Sequence, residues 1–60
     1  MRPLSTKELR RYDWIQLVTL IRAIEAMLPD LRDGSADRRN ALINLYTIRR
    51  VLAQGRLRST

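Results

Sequence analysis

The sequence contains no cysteine and no histidine. Without cysteine the chain has no disulfide and no zinc thiolate, which are common supports of small folds. Without histidine it lacks the side chain that most often serves as a general base or metal ligand near neutral pH. A chain of 60 residues buries only about 60% of the surface that its unfolded form exposes. Self-association is therefore the expected supplement to its core.

Groups that could carry out catalysis are few and scattered. Six carboxylates are present, three along the first half and three near a predicted turn: Glu8, Asp13, Glu25, Asp30, Asp33 and Asp37. Their spacing matches neither a calcium loop nor a magnesium site. The two glycines, Gly34 and Gly55, are too far apart to form a phosphate-binding loop. The sequence therefore predicts no enzyme, no catalytic residue, no cofactor, no metal and no small-molecule substrate.

Long apolar runs are also missing. The most apolar window, Trp14 to Leu28, is interrupted by four polar or charged residues, Gln16, Thr19, Arg22 and Glu25. It is too short and too polar to span a bilayer. The first residues, MRPLSTKELRR, lack the apolar segment of a signal peptide. We therefore expect no membrane partner and a cytoplasmic location, which the absence of cysteine also fits.

The positive charge is in clear excess. Twelve lysines and arginines face six acidic residues, for a formal charge of +6. Such a balance favours an acidic or polyanionic partner, although it says nothing about the fold.

Two helices account for most of the chain. Ser5 and Glu8 have the spacing of a capping box, so helix 1 should begin near Thr6. It should end near residue 28, because Pro29 disfavours helical geometry in its predecessor. The turn covers residues 29–35, helix 2 runs from about 36 to 54, and Gly55 begins a frayed tail at 55–60. The prediction is an all-α, antiparallel two-helix hairpin forming a single domain, 1–60.

The apolar faces of the two helices predict the core and a surplus. The core should contain the residues that face the partner helix: Leu17, Ile21, Ile24, Leu45 and Ile48. Helix 1 carries apolar residues over about half its circumference, more than one antiparallel helix covers. We therefore expect a homodimer that forms a four-helix bundle, with four candidate interface residues: Leu9, Trp14, Leu20 and Met27.

The segment Asp37 to Arg50 places an arginine pair at each end of an apolar run. In a straight hairpin, Arg38 would lie opposite Glu25 and Arg49 opposite Asp13. The other arginine of each pair lies on the outer face of helix 2, which gives four partner-binding candidates: Arg39, Ile43, Tyr46 and Arg50. Arginine and tyrosine are enriched at interface hot spots.

The open end of the predicted hairpin gathers most of the positive charge. Its basic residues are Arg2, Lys7, Arg10, Arg11, Arg49, Arg50, Arg56 and Arg58, opposed there by Glu8 and Asp13. Arg10 and Arg11 join the partner-binding candidates for this reason. Such a pole suits phosphates or an acidic protein surface.

Two functions fit these features. The first is a non-enzymatic regulator or adaptor that dimerises and binds another protein through its helical faces. The second is a nucleic-acid-binding regulator that uses the basic end and the outer face of helix 2. Small RNA-binding four-helix bundles resemble this chain in size and helical organisation, although no motif is shared.

Overall fold

The protein is all-helical in its described part. The computed structural model describes residues 1–58, and side chains as far as residue 55. The elements in order are α1 (Thr6–Leu9), α2 (Trp14–Met27), a 3₁₀ turn (Leu28–Asp30) and α3 (Ala36–Arg58). The predicted all-α class is thus confirmed, but this part of the chain has three helices, two of them long, instead of the two predicted. Nothing in the structure shows the predicted dimer.

The hairpin between α2 and α3 forms where the sequence places it. The helix α2 ends at Met27, and Pro29 opens the 3₁₀ turn that follows. Gly34 has a φ of 78°, a left-handed conformation that glycine adopts without strain. The Ser35 hydroxyl then accepts a hydrogen bond of 3.1 Å from the Arg38 amide and caps α3. Pro29, Gly34 and Ser35 therefore define the turn.

Helix 1, predicted as continuous from residue 6 to 28, is two helices. A second capping box causes the break: the Gln16 amide donates to Asp13 Oδ1 at 2.8 Å, and the Asp13 amide donates to Gln16 Oε1 at 2.9 Å. Asp13 has extended rather than helical backbone geometry, so α2 begins at Trp14. The reciprocal pair satisfies two backbone donors that a helix start otherwise leaves unpaired.

The capping box predicted at Ser5 is only half formed. The Glu8 amide donates to the Ser5 hydroxyl at 3.1 Å, but the Glu8 carboxylate binds the Arg2 guanidinium at 2.8 and 3.0 Å. This hydrogen bond to Arg2 is the main reason that the pKa of Glu8 lies below its ordinary value. Because the folded pKa is the lower one, the pair stabilises the fold at neutral pH and is lost in acid.

The N-terminal segment runs along α3, held by an asparagine. Asn44 is fully buried, accepting a hydrogen bond of 2.7 Å from the Leu4 amide and donating one of 3.0 Å to the Arg2 carbonyl. Nearer the hairpin turn, Asn40 donates to the Met1 carbonyl at 2.8 Å. Residues 1–9 thus lie parallel to α3, and the break at residues 10–13 reverses the chain into α2.

The core sits between α3 on one side and α1 with α2 on the other. It consists of seven buried apolar side chains: Leu9, Leu17, Ile24, Ala41, Leu45, Ile48 and Val51. Four of the five predicted core residues are among them, and the fifth, Ile21, is half-buried against the cluster. The placement of Leu9 at a dimer interface is wrong, because it is 0% exposed within the single chain.

The helix α3 passes through Gly55 and continues to Arg58. The predicted stop at residue 54 is therefore wrong. Glycine ends a helix when it takes the left-handed conformation, and among the described residues only Gly34 does so. Of the predicted frayed tail, residues 59 and 60 lie outside the described part. No helix in that part is both long and apolar enough to cross a membrane.

Candidate functional site

The outer face of α3 carries the four residues proposed from the sequence. Arg39, Ile43, Tyr46 and Arg50 follow each other at helical spacing and are all exposed. Tyr46 is 64% exposed, and neighbouring Leu42 is 48% exposed. We call these five residues the α3 face. Its centre is apolar and its two ends are cationic.

Tyr46 and Arg50 contact each other within this face. The Arg50 guanidinium carbon lies 5.9 Å from the centre of the Tyr46 ring, within the range of a cation–π contact. The two residues are one helical turn apart, where side chains on a helix surface meet. This contact holds a flat, amphipathic pair on the surface of α3.

The arginines of the α3 face have no carboxylate partner among the described side chains. Arg49 forms an ion pair with Glu25 at 3.2 Å. Arg38 reaches Asp33 at 3.4 Å and donates to the Leu28 carbonyl at 2.9 Å. The predicted pairs Arg38 with Glu25 and Arg49 with Asp13 are therefore wrong. Arg39 and Arg50 are left available for a partner's charges.

The change of partner follows from the break in helix 1. The predicted pairing assumed one straight helix, in which Asp13 faces Arg49. Instead, the Asp13 carboxylate caps α2 and accepts from the Gln16 amide. Arg49 is then nearer to Glu25 on the same side of the hairpin.

A polar groove lies where α1 meets α3. Its volume is about 270 Å³, and its walls combine residues of both helices: Thr6, Arg10, Tyr46, Thr47, Arg50, Val51 and Gln54. Arg10 therefore lines the same groove as Tyr46 and Arg50. Arg11 is exposed but does not line this groove. No carboxylate lines it either.

Two arginines of the predicted basic pole form ion pairs in the structure. The Arg2 carbonyl binds Asn44, midway along α3, and the Arg2 guanidinium is paired with Glu8. Arg49 is paired with Glu25. The side chains of Arg56 and Arg58 lie outside the described residues. Among the described side chains, Arg10 and Arg50 line the same groove at this end.

A second exposed face lies on α2, opposite the core. It includes a shallow groove of about 310 Å³, lined by Tyr12, Ile15, Gln16, Thr19, Leu20 and Ala23. We call these residues the α2 face. Ile15 is 68% exposed and was not singled out from the sequence. Its spacing from Tyr12, Thr19 and Ala23 is helical, which is the signal that could have revealed this stripe.

The four predicted dimer-interface residues do not form one surface. Leu9 is in the core and Leu20 packs against the core from the edge of the α2 face. Trp14 and Met27 are exposed, but at opposite ends of α2. The exposed apolar surface of α2 is therefore centred on Ile15 in the α2 face and not on the four predicted residues.

Within the described part, no group of three or more acidic residues is placed to hold a metal ion.

Comparison with protein-family models gave no match, and comparisons with curated proteins and with solved structures gave no significant match. Evidence on function therefore comes from the two exposed faces.

Proposed function

We propose that this chain is a non-enzymatic adaptor or regulator that works in the cytoplasm and binds another protein through the α3 face. The observation that carries the proposal is an apolar centre, Ile43 and Tyr46, held open to solvent between two arginines that have no acidic partner among the described side chains. Binding surfaces combine such a centre with a polar rim, and tyrosine and arginine dominate their energetics.

Replacing Tyr46 with alanine tests this role. Truncation of a hot-spot tyrosine costs about 2 kcal/mol, or roughly 30-fold in affinity. The variant's affinity for a protein captured by the immobilised wild-type chain should therefore be about 30-fold lower, as measured by surface plasmon resonance. Fold stability should hold, because Tyr46 contributes nothing to the core.

The matched control is Trp14→Ala, which removes an exposed aromatic side chain that lies in neither the α3 face nor the α2 face. The control should retain the captured protein, with circular dichroism confirming that both variants fold. Equal loss in the two variants, or no loss in Tyr46→Ala, would count against the α3 face as the binding surface.

Nucleic-acid binding is the second candidate, favoured by the α1–α3 groove. Arg10 and Arg50 flank an exposed tyrosine there, and arginine with an aromatic ring can hold a phosphate and an unstacked base. A gel-shift titration with duplex DNA, single-stranded DNA and structured RNA at two salt concentrations separates the candidates. Binding that weakens steeply with salt supports nucleic acid; no binding at low salt removes it.

Self-association through the α2 face completes the proposal. Two copies packed α2 against α2 would cover Ile15 and Tyr12 and bring four long helices together. The lining of the α2 face contains no charged residue, so a chain of net charge +6 can meet its copy there without repulsion between facing charges. Two copies that met through the α3 face would bring arginines together, because this face has an arginine at each end.

Ile15→Glu is expected to abolish this dimer, because each interface would gain two buried carboxylates without partners. Sedimentation equilibrium should show a dimer for the wild type and a monomer for the variant. The matched control, Ile43→Glu, places the same charge on the exposed α3 face and should leave the dimer intact. A wild-type monomer, or dissociation by both variants, would refute dimerisation through α2.

A further inference from the structure

We infer that the α3 face receives an acidic amphipathic helix of the partner protein, whose carboxylates lie about three helical turns apart. This inference rests on the proposed function and gives its partner a chemistry. It follows from the positions of Arg39 and Arg50 and from the apolar surface between them. It also follows from charge, which disfavours a nucleic-acid strand or a second copy of the chain on this face.

The spacing of Arg39 and Arg50 sets the spacing of the partner's charges. They are 50 − 39 = 11 residues apart, which is close to three turns and about 16 Å along the helix axis. Between them lie Leu42, Ile43 and Tyr46, all exposed and all uncharged. A partner helix with acidic residues eleven apart and apolar residues between them matches this strip position by position.

The two ends of the face differ in strength. Arg50 shares the α1–α3 groove with Arg10, whereas Arg39 does not line that groove. None of these three is ion-paired among the described side chains. The end near the groove therefore offers two cations to the partner and the end near the hairpin turn offers one.

A nucleic-acid strand fits the whole face poorly. Along one strand of a duplex, phosphates repeat about every 3.4 Å of helix axis, so about five would cover the distance from Arg39 to Arg50. Most of them would lie over Leu42 and Ile43, where no cation replaces their water. A buried charge without a partner is costly.

A second copy of the chain fits the α3 face no better. Antiparallel packing of two α3 helices centred on this face would set Arg39 against Arg50 of the copy, and parallel packing would set Arg39 against Arg39. Both arrangements bring like charges together around the apolar centre, which disfavours them. An acidic partner removes this repulsion and neutralises both ends.

The experiment uses three designed helical peptides of equal length, each with leucines on one face. The acidic peptide has glutamates eleven residues apart on the leucine face. The basic peptide has lysines in their place, and the respaced peptide carries the same number of glutamates on the leucine face but only about two helical turns apart. Binding to the full chain is measured by fluorescence anisotropy, and a single-stranded oligouridine RNA is titrated in parallel.

The acidic peptide should bind at least about tenfold more tightly than the other two, which is the effect of one well-placed charge pair. The double variant Arg39→Glu, Arg50→Glu should lose the acidic peptide and gain the basic one. The control variant Arg22→Glu, Arg32→Glu makes the same change in net charge at two exposed arginines elsewhere. It should leave the acidic peptide's affinity within about twofold, because distant exposed charges are screened.

Three results would overturn the inference: no preference for the acidic peptide, equal losses in the two double variants, or tighter binding of the RNA than of the acidic peptide. The proposed function fails separately. If Tyr46→Ala releases a captured protein while no peptide binds, the α3 face is still a binding surface and only its acidic helical partner is rejected.

Discussion

Replacing Asn44 with alanine is expected to lower the free energy of unfolding by about 2 to 6 kcal/mol. Its side chain is fully buried and both of its polar atoms are used, one by the Leu4 amide and one by the Arg2 carbonyl. Alanine would leave a donor and an acceptor without partners, at about 1 to 3 kcal/mol each. The N-terminal segment would then detach from α3 or stay bound with these groups unsatisfied.

The control is Asn40→Ala, which removes a single, exposed hydrogen bond to the Met1 carbonyl. Its cost should be below about 1 kcal/mol, since water can replace that bond. Urea unfolding followed by far-ultraviolet circular dichroism measures both. Equal effects of the two variants would mean that Asn44 does not hold the N-terminal segment against α3.

Leu9→Ala is expected to cost about 2 to 5 kcal/mol, the range for leucine truncation in a packed core. Leu9 is 0% exposed and belongs to the same cluster as Ile48 and Val51. A chain of this length has a total stability of only about 3 to 9 kcal/mol. The variant should therefore be partly unfolded at ambient temperature, which thermal unfolding followed by circular dichroism will show.

Leu42→Ala provides the same substitution at a site that is 48% exposed, and should change stability by no more than about 0.5 kcal/mol. Repeating the melts at two protein concentrations separates a core role from an interface role. If Leu9→Ala changed only the concentration dependence, Leu9 would belong to a dimer interface, as the sequence first suggested, and not to the core of one chain.

The parts of the fold that depend on neighbouring residues could be predicted from the sequence. Pro29, Gly34 and Ser35 mark the turn through their own backbone preferences. Leu17, Ile24, Leu45 and Ile48 were recognisable as core because helical periodicity alone selects them. The α3 face was located for the same reason, since residues on the opposite side of α3 from the core have to be exposed.

The break in helix 1 was missed because two local signals compete there. Residues 10–13 contain no proline or glycine, so apolar periodicity allows one long helix. Asp13 and Gln16 have the same spacing as Ser5 and Glu8, and that spacing was the available sign of a second helix start. Tertiary packing adds to the capping box in favouring the break, because α1 places Leu9 in the core.

The role of Asn44 depends on contacts far apart in the sequence. Its partners, Arg2 and Leu4, precede it by 42 and 40 residues, and no local rule pairs them. An asparagine within an apolar helical stripe is the sign that was overlooked, since a buried amide needs hydrogen-bond partners. The predicted ion pairs of Arg38 and Arg49 were wrong for a related reason. They assumed that helix 1 is straight, and the break at residues 10–13 changes which residues face each other.

NMR spectroscopy that resolves each backbone amide, recorded as the acidic peptide is titrated into the labelled chain, tests most directly whether α3 carries the binding face. The expected shifts concentrate at Arg39, Ile43, Tyr46 and Arg50, while Ile15 on α2 is unchanged. Shifts centred on Ile15 and the rest of the α2 face, or no shifts at saturating peptide, would contradict a binding role for α3.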